Sequence, residues 1–445
     1  MTNQSKPTSN DIKAIVKDKN ISFIRLQFVD ILGHMKNVGI TIAELDRVLA
    51  QGMVFDGSSV EGFVRIEESD MYLRPDPSTF TVLPWYEGHN IARMICDVYR
   101  PDGKPFLGDP RYVLRKVIGE AKSLGYDFFV GPECEFFLFQ CDAQGRPTTN
   151  THDEASYFDL APTDNGELAR LDMVKTLMEM GFQIEAAHHE SGPGQHEIDF
   201  KYSDALRAAD NIVTFKLAVK VIAKKYGLHA TFMPKPLGAE CGSGMHCNMS
   251  LFKNGTNAFF DVAGVNGLSK EAYWFMGGLI KHAKGMCAIT NPLVNSYKRL
   301  VPGYEAPVYI AWSLANRSPL VRIPVARGEG TRLELRHPDP TCNPYLALAV
   351  MLKAGLDGLK NKINPPPAVD RNIYNMTDED LKNAGIDRLP ANLNLALDAL
   401  MEDDLIKDTL GSHILENFMR AKKIEWADYS GAVHPWEIDR YLKGY

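Results

Sequence analysis

Two glutamates, Glu133 and Glu135, interrupt the run Phe128-Phe-Val-Gly-Pro-Glu-Cys-Glu-Phe-Phe-Leu-Phe139, which otherwise reads as a buried β-strand. Side chains alternate along a strand, so the two carboxylates share one face, about 6.6 Å apart along the chain, with Phe137 and Phe139 beyond them. Like charges this close in apolar surroundings cannot both stay ionised without a positive partner. Either an arginine or a divalent cation with oxygen ligands meets that need.

Three further segments carry polar side chains on strands or adjoining loops. They are His188-His189-Glu190 followed by Gly192-Pro-Gly-Gln-His-Glu197, then Gly242-Ser-Gly-Met-His246, then Arg332-Leu-Glu334-Leu-Arg336. In the last, a period of two puts Arg332, Glu334 and Arg336 on one face and the leucines on the other. Glu133, Glu135, Glu190, Glu197 and Glu334 with His246 form a mostly oxygen donor set, suited to Mg²⁺ or Mn²⁺ rather than zinc. Five carboxylates exceed the one or two that a single Mg²⁺ takes, so two or more ions are expected. Six arginines, Arg299, Arg317, Arg322, Arg327, Arg332 and Arg336, follow within a short stretch, and guanidinium forks match carboxylate and phosphate groups. Cations beside such a cluster point to phosphoryl transfer, yet no Walker A sequence is present to hold the nucleotide.

The elements that must position these groups are readable in outline. Residues 21–29 alternate as a strand, Asp30 to Gly33 can turn it into a hairpin, and Thr41 with Glu44 predicts a capping box for a helix that Gly52 ends. Residues 55–63, rich in glycine and serine, suit an ordered loop. A boundary near residue 106 divides the chain into residues 1–106 and 107–445. The second part opens with Asp109 as N-cap, Pro110 in the first turn and Gly125 past the end. Helices are expected at 204–226, 269–287, 343–360 and 391–423. Strands near 128–140, 183–202, 229–251, 308–325 and 332–336 are expected to make one antiparallel sheet, an α+β arrangement whose ligands project from one face.

Composition narrows the class. The chain has 445 residues, too many for one core. A formal charge of -7 gives no general attraction to nucleic acid or membrane, so any anion site is built locally. Seven cysteines without a CxxC pair suit reduced thiols. A polar start and the lack of an apolar run of about 18 residues lead to the expectation of a soluble cytoplasmic protein.

At the level of motifs the chain resembles the glutamine synthetases of type I, the bacterial kind. The resemblance runs through Phe55-Asp-Gly-Ser-Ser, Gly131-Pro-Glu-Cys-Glu-Phe-Phe, His188-His-Glu, Gly242-Ser-Gly-Met-His, Asn295-Ser-Tyr-Lys-Arg-Leu-Val-Pro-Gly-Tyr-Glu-Ala-Pro307, Asn316-Arg-Ser, Arg322-Ile-Pro and Asn343-Pro-Tyr. It implies a small N-terminal β-grasp domain and a large C-terminal catalytic domain with a curved antiparallel sheet flanked by helices. It further implies a dodecamer of two hexameric rings with each active site between neighbours.

By the same resemblance Glu135, Glu190 and Glu197 hold the first metal, and Glu133, His246 and Glu334 the second. Gly242, Arg299, Arg317, Arg322 and Arg336 bind glutamate and phosphate, while Tyr202, Ser250 and Arg332, with Arg317 and Arg322, lie near ATP. Glu305 covers the intermediate, and Asp56 of a neighbour takes a proton from ammonium. The implied reaction phosphorylates the γ-carboxylate of glutamate from ATP and then lets ammonia displace the phosphate.

Departures carry information too. Cys241 stands where the family commonly has asparagine. Only 55 positions separate Glu135 from Glu190, which places the chain with the α subtype, where Arg65 resembles a residue linked to feedback inhibition by glutamine. Tyr374 matches the modified tyrosine of the other subtype, without an expectation of modification. Subtype alone motivates a nitrogen-responsive transcription factor as partner. Taken singly, His188 and His189 read as structural. Two alternatives stand beside glutamine synthesis: a γ-glutamyl-amine or polyamine ligase of the same fold, and a nitrogen-status regulatory protein.

Overall fold

A computed structural model of the chain describes residues 8–445 except 61, 63–69, 87, 305, 315, 317, 371 and 372. Arg65, Glu305 and Arg317 therefore lie outside the described residues. The N-terminal part builds a sheet from β1 (Phe23–Val29), β2 (Met35–Thr41), β3 (Met53–Asp56), β4 (Asp70–Pro75), β5 (Thr81–Val82) and β6 (Ile91–Tyr99). Their order is β2-β1-β6-β4-β3, with β5 against β6, and β1 runs parallel to β6. Ile24, Leu26 and Phe28 of β1 point inward onto Ile12, Val48, Leu73 and Met94 in one small core.

The helix after β2 differs from the expected capping box. Thr41 makes no side-chain cap bond, because residues 42–44 wind as a 3-10 turn before the helix Leu45–Gln51 begins. Gly52, at φ +81°, ends that helix as expected. The loop expected from residue 55 starts later, since Phe55 and Asp56 complete β3.

The larger part holds a second sheet. Its strands are β7 (Asp127–Cys141), β8 (Pro147–Thr151), β9 (Ile184–His189), β10 (Gln195–Phe200), β11 (Ser203–Asp204), β12 (Leu228–Thr231), β13 (Met245–Lys253), β14 (Thr256–Asn257), β15 (Tyr309–Ser313), β16 (Pro319–Arg322), β17 (Leu333–Leu335) and β18 (Asp387–Arg388). The main path is β18-β15-β16-β17-β13-β7-β10-β9. It is antiparallel except for β15 and β16, which pair in parallel and depart from the uniform pattern expected. The run 183–202 is two strands, not one, because Gly192-Pro193-Gly194 folds β9 back on β10, with Gly194 at φ +68°.

One helix begins at Pro110 behind an Asp109 cap that accepts from the Arg111 N–H, and a long helix spans Ala205–Lys225; both lie against β7. Both also pack on the apolar helix Pro344–Asn361. Val130, Cys134, Phe136 and Leu138 of β7 enter the core beneath those helices. That burial turns Glu133 and Glu135 toward the opposite face.

Arg111 ties the two parts together. Its guanidinium, 3% exposed, donates to Asp97 at 2.6 Å, to Asp76 at 2.9 Å and to both oxygens of Asp210 at 3.0 and 2.9 Å. Arg115 also reaches Asp76 at 2.9 Å and Asp97 at 3.1 Å, so the buried Asp210 is the carboxylate left without its guanidinium if Arg111 is removed. Arg111→Met is expected to destabilise the chain by at least about 3 kcal/mol in denaturant titration.

Candidate active site

Strand register assembles the site. On β7, Glu135 lies directly across from Glu197 of β10, and Glu133 directly across from His246 of β13. Next along, Glu334 of β17 lies across from Asn248 of β13 and from Arg322 of β16. Four strands thus deliver Glu133, Glu135, Glu197, His246 and Glu334, while Glu190 follows β9 at the start of the hairpin turn.

Donor atoms of Glu133, His246 and Glu334 lie within 4.8 Å of one another, as do those of His188, Glu190 and Glu197. His246 stands between the groups: Nδ1 is 3.3 Å from Glu133 and 3.9 Å from Glu334, and Nε2 is 4.0 Å from Glu135. Burial, then the charge of Arg336, lowers the His246 pKa and favours the neutral ring that a metal requires.

The two β7 glutamates have opposite electrostatics. Burial raises Glu133, but hydrogen bonds and charge from His246, and the amide of Asn248 at 2.8 Å, bring it down to about 2. Burial and the charge of Glu190 push Glu135 up to about 8. Glu197 is raised as well, by burial and then by Asp199, Glu135, Glu133 and Glu190. Oxygen-rich donors that crowd one another in this way fit a divalent cation of the Mg²⁺ or Mn²⁺ type.

The arginines divide similarly. Arg322 Nε donates to Glu334 at 2.5 Å and Arg336 Nη1 at 2.6 Å, leaving Arg336 Nε buried without a partner. Arg332 reaches Asn248 at 2.9 Å and so bears indirectly on Glu133. Arg299 spends its donors on the carbonyls of His337 and Arg336, at 2.8 and 3.2 Å. Its close approach requires glycine at 244, where a Cβ would lie 2.5 Å from Arg299 Nη2. Gly242 is equally constrained, by the Pro234 carbonyl, which a Cβ would meet at 2.3 Å.

Glu135, Glu190, His246, Arg299 and Arg336 line one pocket, with Tyr304 and the half-buried Cys241 on its wall. Tyr202, 40% exposed, sets its ring edge-on to Phe129, and Ser250 pairs with Phe129 across the strands. Asp56 ends β3, its exposed carboxylate accepting from the Ser58 N–H and hydroxyl.

Register also exposes residues that motif reading passed over. Gln195, two before Glu197, donates to Glu135 at 3.1 Å. Asn248, two after His246, donates to Glu133. Asp199, two after Glu197, lies across from Glu133 and has a buried oxygen without a partner. Period-two counting from Glu197 and His246 is the signal that reaches all three.

A second histidine-aspartate cluster, His152, Asp153, Asp164 and His196, also brings donors within 4.8 Å. Its cation is already present. Arg170 Nη1 lies 2.7 Å from Asp164 and 2.7 Å from His196 Nδ1. A guanidinium only donates, so Nδ1 accepts, the His196 proton sits on Nε2, and that nitrogen has no lone pair to offer a metal.

A small mixed sheet ahead of a larger sheet that presents carboxylates, one histidine and arginines together defines a class of metal-dependent, nucleotide-using ligases. The chain belongs to the glutamine synthetase family. A profile of the family's beta-Grasp domain matches residues 20–101, and one of its catalytic domain matches residues 107–441. The chain is 59% identical over 442 residues to the glutamine synthetase of Clostridium saccharobutylicum, covering 99% of this chain and all of that one. It is 57% identical to that of Thermus thermophilus, covering 98% and 99% of the two chains. Among solved structures, a GmaS complex with ADP superposes with a TM-score of 0.88 at 33% identity, covering 99% of this chain and 100% of that chain. The Plasmodium falciparum glutamine synthetase superposes at 0.87 and 27% identity, with the same coverage. No described helix is long and apolar enough to cross a membrane.

Proposed function

We infer that Glu135, Glu190 and Glu197 hold one divalent cation, that Glu133, His246 and Glu334 hold a second, and that this face serves the ATP-dependent ligation of ammonia to L-glutamate. The observation that carries the reading is the pairing of Glu135 with Glu197 and of Glu133 with His246, which gives each flank of β7 one of its two carboxylates. Cations held by these residues would supply positive charge against the phosphate oxygens.

The chain's own residues do the rest. Arg336, with a free buried donor, and Arg322 would place positive charge beside the phosphate path while each holds one oxygen of Glu334. Arg332, Tyr202 and Ser250 would lie near a bound nucleotide, and Arg299 and Gly242 would shape the amino-acid end. Arg317 adds charge at the transferring phosphoryl group. Once the γ-carboxylate is an acyl phosphate, ammonia can attack it, provided ammonium first loses a proton. Asp56 takes that proton. Its exposed position in β3 suits delivery from a neighbouring copy, in an assembly of two hexameric rings. Glu305 covers the intermediate against water. The division of labour follows residues 1–106 and 107–445, and Arg65 is the residue through which glutamine would inhibit.

The test is turnover with ATP, glutamate and a panel of amines. Glutamine formation should depend on ammonium, stop when divalent ions are chelated and return on adding Mg²⁺. Preference for a larger amine would overturn the choice of acceptor.

A further inference from the structure

The ring of His188 meets two of the carboxylates assigned to the first metal. Nε2 lies 2.9 Å from Glu190 Oε1 and 3.8 Å from Glu197 Oε1. Glu190 Oε2 meanwhile accepts the Ser191 N–H at 3.0 Å. Both oxygens of Glu190 are therefore held from the protein side, and its carboxyl plane cannot turn freely.

Something in turn holds His188. Tyr157 stands edge-on to the imidazole at 5.6 Å and 88°, and Phe158 at 4.9 Å and 65°. Phe158 has φ +65°, a strained setting for a bulky side chain. It is also 62% exposed, so burial does little to offset that strain. The turn is fixed by the Phe158 N–H bond to the His189 carbonyl at 3.1 Å. Its two ends are anchored in the buried charge cluster: Asp153 accepts the Gly194 N–H at 2.8 Å, and Asp164 lies against Arg170. A strap from residue 152 to 166 thus presents a strained aromatic pair to one histidine edge.

We propose that His188 is a positioning residue for the first metal centre, aiming Glu190 through its Nε2–H, and that the Tyr157–Phe158 turn serves to hold its ring. This rests on reading Glu190 as a metal ligand. Partners that orient ligands in this way alter metal affinity by about 10- to 100-fold when lost.

Mn²⁺ binding to the full-length protein, followed by the electron paramagnetic resonance of the free ion, reads this without turnover. His188→Ala should weaken the tighter or looser site about tenfold, and His188→Gln, whose amide N–H reaches the same oxygen, should recover most of the loss. Phe158→Gly relieves the strain while removing the ring, so it should weaken Mn²⁺ binding about threefold with no loss of thermal stability. A loss of affinity without a loss of stability is not what a merely structural residue gives. The proposal is overturned if His188→Ala binds Mn²⁺ as wild type does, or if glutamine fails to rescue. Should the alanine variant not fold, the glutamine and Phe158 variants decide alone. Glu190→Gln separates the two levels. If it too leaves Mn²⁺ binding unchanged, the metal assignment itself fails; if it alone abolishes a site, only the role of His188 does.

Discussion

Glu135→Gln is expected to lower glutamine formation by more than about a hundredfold, to remove one class of Mn²⁺ site, and to leave the metal-free protein at least as stable as before. The substitution keeps the shape of the side chain and an oxygen for the Gly244 N–H, which Glu135 now accepts at 2.9 Å. What it removes is a charge crowded by burial and by Glu190, the same crowding that raises Glu135 to about 8. In the absence of metal that charge opposes folding, and on the proposed reading it becomes a ligand when metal is present. A variant that is thermally robust, inactive and short of one metal site is the expected signature. Unchanged turnover would refute the assignment, and a large fall in stability would show that the carboxylate has a structural partner here.

Much of this site was legible because its signals are local. The Glu-x-Glu spacing on β7 fixes a shared face by the strand period alone. Asp109, Pro110 and Gly125 mark a helix whose ends obey local chemistry, and the helix runs from Pro110 to Ser123. Local signals also misled. Thr41 and Glu44 have the spacing of a capping box, but the chain leaves β2 through a 3-10 turn, so the hydroxyl has no helix N-terminus to cap.

Pairing information is absent from any single segment. Nothing within 308–325 announces that β15 and β16 run parallel, because direction is settled by the chain between them and by the neighbours each strand finds. Likewise His188, Gln195 and Asn248 look like ordinary polar residues until the folded sheet brings their side chains onto Glu190, Glu135 and Glu133. Gly192-Pro-Gly did carry a turn signal that would have split 183–202 in two.

Glu334 should behave as the reverse of Glu135. It is fully buried, yet its two oxygens already take Arg322 at 2.5 Å and Arg336 at 2.6 Å. Replacing it by alanine removes a proposed ligand and strands two guanidinium groups, one of them 8% exposed, beside each other. Breaking a buried pair by deleting one partner costs about 3–5 kcal/mol, because the remaining charge stays unbalanced. Glu334→Ala is therefore expected to lose activity and stability together, with metal-free protein melting well below wild type in calorimetry. Glu334→Met tests the cause, since it restores volume but not charge and should recover little. If either variant melted like the wild-type protein, the arginines would have found other counter-charges, and Glu334 would be a ligand only. The contrast separates two ways of keeping a carboxylate in a sheet: Glu135 is crowded by burial and by Glu190, and on the proposed reading takes its cation from outside the chain, whereas Glu334 already has two cations of the chain's own.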